Sequence, residues 1–226
     1  MKILAIEQST VAGSAAILED NTVLSEKTWD ETGIRNQQLF SVIRELLDEL
    51  SVEPSDIDTY AVGLGPGSFS GIRIALSAAR GLALPGRKPV IGISSGEILA
   101  MDIMNEKDVP EVTVIGDARR KRFWLARFER TNECLKIKTA YSLIGIDELS
   151  EALKNDPLIV SPDWDRIGEE LKKLSLPNTT IIEEKRMPRA RIAGKLALRR
   201  INSNQPLEKP TPVYLHPPVF VEPKFT

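Results

Sequence analysis

The chain has 226 residues, 42% of them hydrophobic, and a formal net charge of −2. That length buries one large core or two small ones, and the near-neutral charge argues against a globally basic nucleic-acid binder. One cysteine rules out an intramolecular disulfide, and no apolar run approaches the roughly 18 residues of a membrane span. A strand begins almost at Met1, so no signal peptide is expected, and the class predicted is a soluble, cytoplasmic globular protein.

Residues 2–7 read as a buried strand, 8–13 as a turn, and 14–18 as the returning strand. Residues 22–29 alternate as a third strand. A helix is expected from Asn36 to Leu50, where Leu39, Phe40, Ile43, Leu46, Leu47 and Leu50 recur at helical spacing. Strand 59–63 then leads through a glycine turn into a second helix over residues 71–84. Strand 90–94 and a helix over 96–104 complete the order β-β-β-α-β-α-β-α. The second half repeats it, with strands at 112–117, 123–128 and 135–138, a helix at 146–154, a strand at 158–160, a helix at 164–174, a strand at 179–183 and a last helix at 189–201. Two similar α/β lobes are therefore predicted, 1–104 and 112–226, divided in the polar stretch 105–111. The proline-rich tail from Gln205 reads as an extended strap over the body.

The chain is organised around Gly63-Leu64-Gly65-Pro66-Gly67-Ser68-Phe69-Ser70-Gly71. A dinucleotide fingerprint would need G-x-G-x-x-G and an acid after the next strand, and the spacing here fails. A phosphate-cradling loop would need Gly-Lys-Ser/Thr, which is absent. The remaining reading is a tight strand-to-helix turn, with Ser68 or Ser70 as the helix cap. On the helix that follows, Arg73, Ser77 and Arg80 form a narrow polar strip, and apolar residues cover an arc of roughly 220°. Such an arc is either internal core or covered by another chain. The second alternative is carried forward as an expectation, with a partner surface of Leu39, Ile43, Leu47, Ile72, Ala75, Leu76, Ala79 and Leu82.

Candidates for chemistry are few. His216 is the only histidine, so the chain cannot supply a histidine pair for zinc, and a triad would have to recruit this tail residue. Cys134, beside Asn132 and Glu133, reads as a bystander rather than a nucleophile. Glu7, Ser9 and Thr10 could hold a metal-bound phosphate, or form a polar turn bonded to local backbone. Arg119, Arg120, Lys121 and Arg122 crowd one turn. Lys185, Arg186, Arg189, Arg191, Lys195, Arg199 and Arg200 line the approach to and the face of the last helix. Both clusters could grip phosphates or be solvated surface.

Four segments carry a family resemblance: Ile3-Leu4-Ala5-Ile6-Glu7-Gln8-Ser9-Thr10, Gly65-Pro66-Gly67-Ser68-Phe69-Ser70-Gly71-Ile72-Arg73-Ile74, Asp117-Ala118-Arg119-Arg120 and Pro212-Val213-Tyr214-Leu215. The chain resembles the TsaB (YeaZ) family over its whole length. The resemblance implies a two-lobed actin/sugar-kinase/Hsp70-like fold, an RNase H-like repeat of mixed sheets flanked by helices. It implies the dimerization subunit of the bacterial tRNA threonylcarbamoyladenosine machinery, without catalytic or metal residues of its own. The implied partners are a TsaD-type catalytic subunit and a TsaE-type ATPase, with a homodimer when alone, tRNA reached through the complex, and no membrane. ATP or ADP would bind only at a shared subunit interface. Against the family pattern, Glu7 stands where Asp is usual and Asn36 where His is frequent. The glycine pair that packs adenosine in nucleotide-binding relatives is replaced by Ile182-Glu183-Glu184-Lys185. The alternative functions are an ATP-dependent phosphotransferase with Glu7 and Asp117 on one metal, and a peptidase, which the lack of zinc ligands disfavours.

Overall fold

A computed structural model describes residues 1–30, 38–131, 134–203 and 209–215. The start of the first predicted helix with Asn36, the residues Asn132 and Glu133, the Cys134 side chain and the tail beyond Leu215 with His216 lie outside the described residues. The first half comprises β1 (Lys2–Glu7), β2 (Ala12–Glu19), β3 (Thr22–Asp30), α1 (Gln38–Leu50), β4 (Thr59–Gly63), α2 (Phe69–Ala83), β5 (Val90–Ile93) and α3 (Ser95–Lys107). The second half comprises β6 (Glu111–Arg119), β7 (Arg122–Thr131), β8 (Cys134–Gly145), α4 (Leu149–Leu153), β9 (Leu158–Val160), α5 (Trp164–Lys172), β10 (Thr180–Ile181) and α6 (Ala190–Asn202). The element order is the one predicted. The predicted hairpin strands of the second half are too short, and the helix expected over 146–154 is α4 preceded by a 3-10 turn.

Each half folds into a five-stranded sheet, β3-β2-β1-β4-β5 and β8-β7-β6-β9-β10, the same topology twice. In both, the first three strands are antiparallel and the last two run parallel to the first. This is the mixed-sheet, helix-flanked, two-lobed actin-like fold. Strand alternation decides which residues go where. Leu4 and Ile6 face α1 and α2 on the outside of the first sheet, while Ile3 and Ala5 face the opposite layer. In the second sheet Val112 and Val114 face inward, and Ile115 faces α4 and α5.

Packing crosses the sequence boundary. The inner face of the first sheet is covered chiefly by α6, whose Ile192, Ala193, Leu196 and Ala197 are buried there, although α6 belongs to the second half. Leu99, Ala100, Ile103 and Met104 of α3 pack on the second sheet, and Ile98 and Met101 on the first. A helix apolar on all sides is buried on all sides. The predicted division at 104/112 therefore marks the repeat in topology, but the two stretches are not separate packing units. No helix among the described residues is long and apolar enough to cross a membrane.

Candidate functional site

The site grows from the ends of β1 and β4, where two turns press against each other. Ser68 caps α2, its Oγ accepting from Gly71 N at 3.2 Å, and its own N–H donates to Ser9 O at 2.6 Å. The glycines make that approach possible. A Cβ on Gly67, which has φ +154°, would sit 2.0 Å from Ser9 O, and one on Gly71 would sit 2.1 Å from Gln8 O. The glycine loop is thus a packing turn seated on the β1–β2 turn.

Glu7 closes the assembly from beneath. Its Oε1 accepts from Ser9 N at 2.7 Å and its Oε2 from Ser95 Oγ at 2.9 Å. Ser95 also exchanges hydrogen bonds with Gly65, accepting from Gly65 N at 3.0 Å and donating its N–H to Gly65 O at 2.7 Å. Burial pushes the Glu7 carboxyl above its ordinary 4.5, and hydrogen bonds from Ser9 and Ser95 only partly offset that. Thr10 Oγ1 donates to Ala12 O at 2.8 Å, as the polar-turn reading expects. A metal-bound phosphate on this turn would need an ionised Glu7 and the space beside Ser9 that Gly67 occupies. The residues present do not fit a nucleotide phosphate there.

Asp117 lies two residues before the end of β6, as Glu7 lies at the end of β1, and it too is bound within its own lobe. Its Oδ1 accepts from Arg119 N at 2.7 Å, its Oδ2 lies 3.1 Å from Arg119 and 3.5 Å from Arg166, and its N–H donates to Asp163. Burial pushes the Asp163 carboxyl up. Among the described residues no hydrogen bond or ion pair joins Asp117 to Glu7, and no cluster of three His, Cys, Asp or Glu side chains is placed to hold a metal.

A cleft of about 380 Å³ lies between β2–β3, α3 and the segment before α6, with Trp29, Asp102, Glu106, Arg186, Arg189 and Arg191 in its wall. Its cations are already spoken for. Arg186 meets both Glu106 oxygens at 2.9 Å; Arg189 and Arg191 each reach Glu26 at 2.9 Å, and Arg191 reaches Asp102 at 3.0 Å. Burial opposes ionisation of Glu26, yet its hydrogen bonds from Arg189 and Arg191 hold the carboxyl below 4.5. The second basic cluster of the sequence is largely an internal ion-pair network. Glu26, Ser95 and Tyr141, whose hydroxyl donates to Ser94 at 2.9 Å, were not singled out by the sequence. One signal was available: Ser94 followed by Glu97 is a capping box, and it marks where α3 begins against the glycine loop.

The expected partner surface is corrected by burial. Leu39, Ile72, Ala75 and Ala79 are at most 1% exposed, Ile43 is 3% and Leu76 5% exposed, all covered within the chain; Leu47 and Leu82 are half-buried against the same core. The apolar arc of α2 is internal because it packs on β4, β1 and β5, in one core that also holds residues of α1, Val52 and Val213. What α2 presents outward is its polar strip. Over that strip runs the tail segment 209–215, extended as predicted, with Arg80 donating to Pro210 O at 2.6 Å, Arg73 to Tyr214 Oη at 2.8 Å, and Val213 N–H to Leu64 O at 2.8 Å. Phe69 stacks 5.4 Å from Tyr214 with the Arg73 guanidinium 3.8 Å over its ring.

Fold and site together define a two-lobed actin-like protein whose glycine loop is seated on the turn between its first two strands. Residues 35–181 match the family described as TsaD, tRNA N6-adenosine threonylcarbamoyltransferase. The chain belongs to this family, and several proteins similar to it carry the name TsaB or YeaZ. The tRNA threonylcarbamoyladenosine biosynthesis protein TsaB of Escherichia coli is 32% identical over 130 residues, 58% of this chain and 56% of that protein, so the match spans little more than half of that relative. The protein of the same name from Buchnera aphidicola subsp. Baizongia pistaciae is 28% identical over 223 residues, 95% of this chain and 97% of its own length. The solved structure of YeaZ from Pseudomonas aeruginosa superposes with a TM-score of 0.80 at 25% identity, covering 95% of this chain and 99% of that one.

Proposed function

We propose that this chain is a non-catalytic interaction subunit in threonylcarbamoyl modification of the tRNA adenosine beside the anticodon, and that it binds a TsaD-type catalytic subunit. The observation that carries the reading is the closed turn, with Glu7 held by Ser9 and Ser95 and Gly67 seated on Ser9. A phosphotransferase of this fold would need that turn open and its carboxylate free. In this reading the chain holds no cofactor of its own, nucleotide enters only at a shared subunit interface, and a TsaE-type ATPase and tRNA join through the complex. In this reading the partner surface is the outer side of α1 and α2, where Phe40, Phe69 and, just past the end of α2, Leu84 are 57%, 54% and 75% exposed. Exposed apolar residues of that size on one outer layer are what a partner would cover.

The test is turnover against association. The purified chain with ATP and magnesium is expected to show no hydrolysis above background, and to co-purify with a co-expressed TsaD-type subunit. Metal-dependent hydrolysis by the chain alone, abolished by Glu7→Ala, would establish the phosphotransferase instead.

A further inference from the structure

Among the described residues, only the hairpin between β6 and β7 holds three consecutive non-glycine residues in the left-handed region. Arg119, Arg120 and Lys121 all have positive φ, at +67°, +53° and +58°. Arg119 pairs with Arg122 across the hairpin, so Arg120 and Lys121 are the two central residues of a tight turn that needs left-handed backbone at both. Such turns favour Asn-Gly, because a side chain with a Cβ and long substituents resists that conformation. Here the turn is built from three consecutive long cations and followed by a fourth, Arg122, all exposed.

Their charges also differ from those beside α6. Arg186, Arg189 and Arg191 are neutralised by Glu106, Glu184, Glu26 and Asp102. Arg119 lies 3.1 Å from Asp117. Among the described residues, Arg120, Lys121 and Arg122 have no carboxylate within ion-pairing distance. A chain of net charge −2 thus carries, at the tip of one hairpin, three adjacent cations that no carboxylate among the described residues neutralises.

We infer that the 119–122 hairpin is an RNA phosphate-backbone contact, which on the function proposed above would be made to the tRNA. Unneutralised Arg and Lys on a fixed turn release counterions from a polyanion, giving affinity that is steeply salt-dependent and insensitive to base sequence. The backbone strain has a reading on the same terms, since residues held in sparsely populated conformations concentrate where a side chain has work to do. The paired cations beside α6 add little, because their own carboxylates would have to be displaced first.

The variant Arg120→Asn with Lys121→Gly installs the residues the turn prefers while removing two charges. The measurement is binding of unmodified tRNA by the full chain across a salt series, beside its thermal unfolding and its capture of the TsaD-type subunit. Expected are an unfolding temperature equal to or above wild type, unchanged partner capture, and a log–log salt slope shallower by about 1.5. A second variant, Arg120→Gln with Lys121→Gln, leaves the turn's backbone as it is and should lower the slope equally. An unchanged slope in both, no tRNA binding by the wild type at low salt, or loss of partner capture would each overturn the hairpin as an RNA contact. If the wild-type chain captures no TsaD-type subunit, the proposed function fails while the salt slope still decides the hairpin.

Discussion

Two glycines in α2 should respond to the same substitution with opposite signs. Gly→Ala inside a helix ordinarily stabilises by roughly 1 kcal/mol, because alanine loses less backbone freedom on folding. At Gly81 nothing lies within 4 Å of the added Cβ, so Gly81→Ala should gain about 0.5–1 kcal/mol. At Gly71 the Cβ would lie 2.1 Å from the Gln8 carbonyl oxygen, a backbone atom fixed by the strand it ends. The β1–β2 turn and the helix must then separate by more than an ångström. That weakens the 2.6 Å bond from Ser68 N to Ser9 O. Overpacking of this kind costs about 1–3 kcal/mol and the hydrogen bond about 1 more, so the propensity gain is outweighed and Gly71→Ala should lose about 1–3 kcal/mol net. For a domain of this size that is a fall in Tm of roughly 2–12 °C, against a rise of a few degrees for Gly81→Ala. Urea and thermal unfolding of the two variants give the comparison directly. A Gly71→Ala protein as stable as wild type would refute the seating of the glycine loop on the β1–β2 turn.

Two further outcomes follow from burial. Ala79→Arg places an unpaired cation in the core between α2 and the first sheet and should cost more than about 4 kcal/mol, so the variant should fail to fold on circular dichroism; a native melt with lost partner binding would return the arc to the surface. Glu7, whose folded pKa is raised above 4.5, contributes stability that is full below that value and is lost as pH rises through the folded pKa. Glu7→Gln removes that loss, so its urea midpoint should gain on wild type as pH rises above about 4.5; midpoints that stay parallel as pH rises would contradict a buried, proton-favouring carboxyl.

Local pattern was enough for the strands, the helices and the repeat. Ile3 and Ala5 alternate with Leu4 and Ile6, which makes a strand buried on both faces legible without neighbours, and the failed G-x-G-x-x-G spacing already pointed to a packing turn. Even the capping pair Ser94 and Glu97 was there to be read. Orientation was not. Periodicity gives the width of the apolar arc on α2 but not the direction it faces, and Ala79 turns inward because the sheet is there to receive it. The exchange of α3 and α6 between the sheets depends on faces complementary only after both halves have folded. The two basic clusters look alike in sequence, yet Arg189 finds Glu26 across 163 residues while Arg120 and Lys121 find no carboxylate among the described residues. Charge neutralisation falls off within a few ångströms, and distance along the chain says nothing about distance in space.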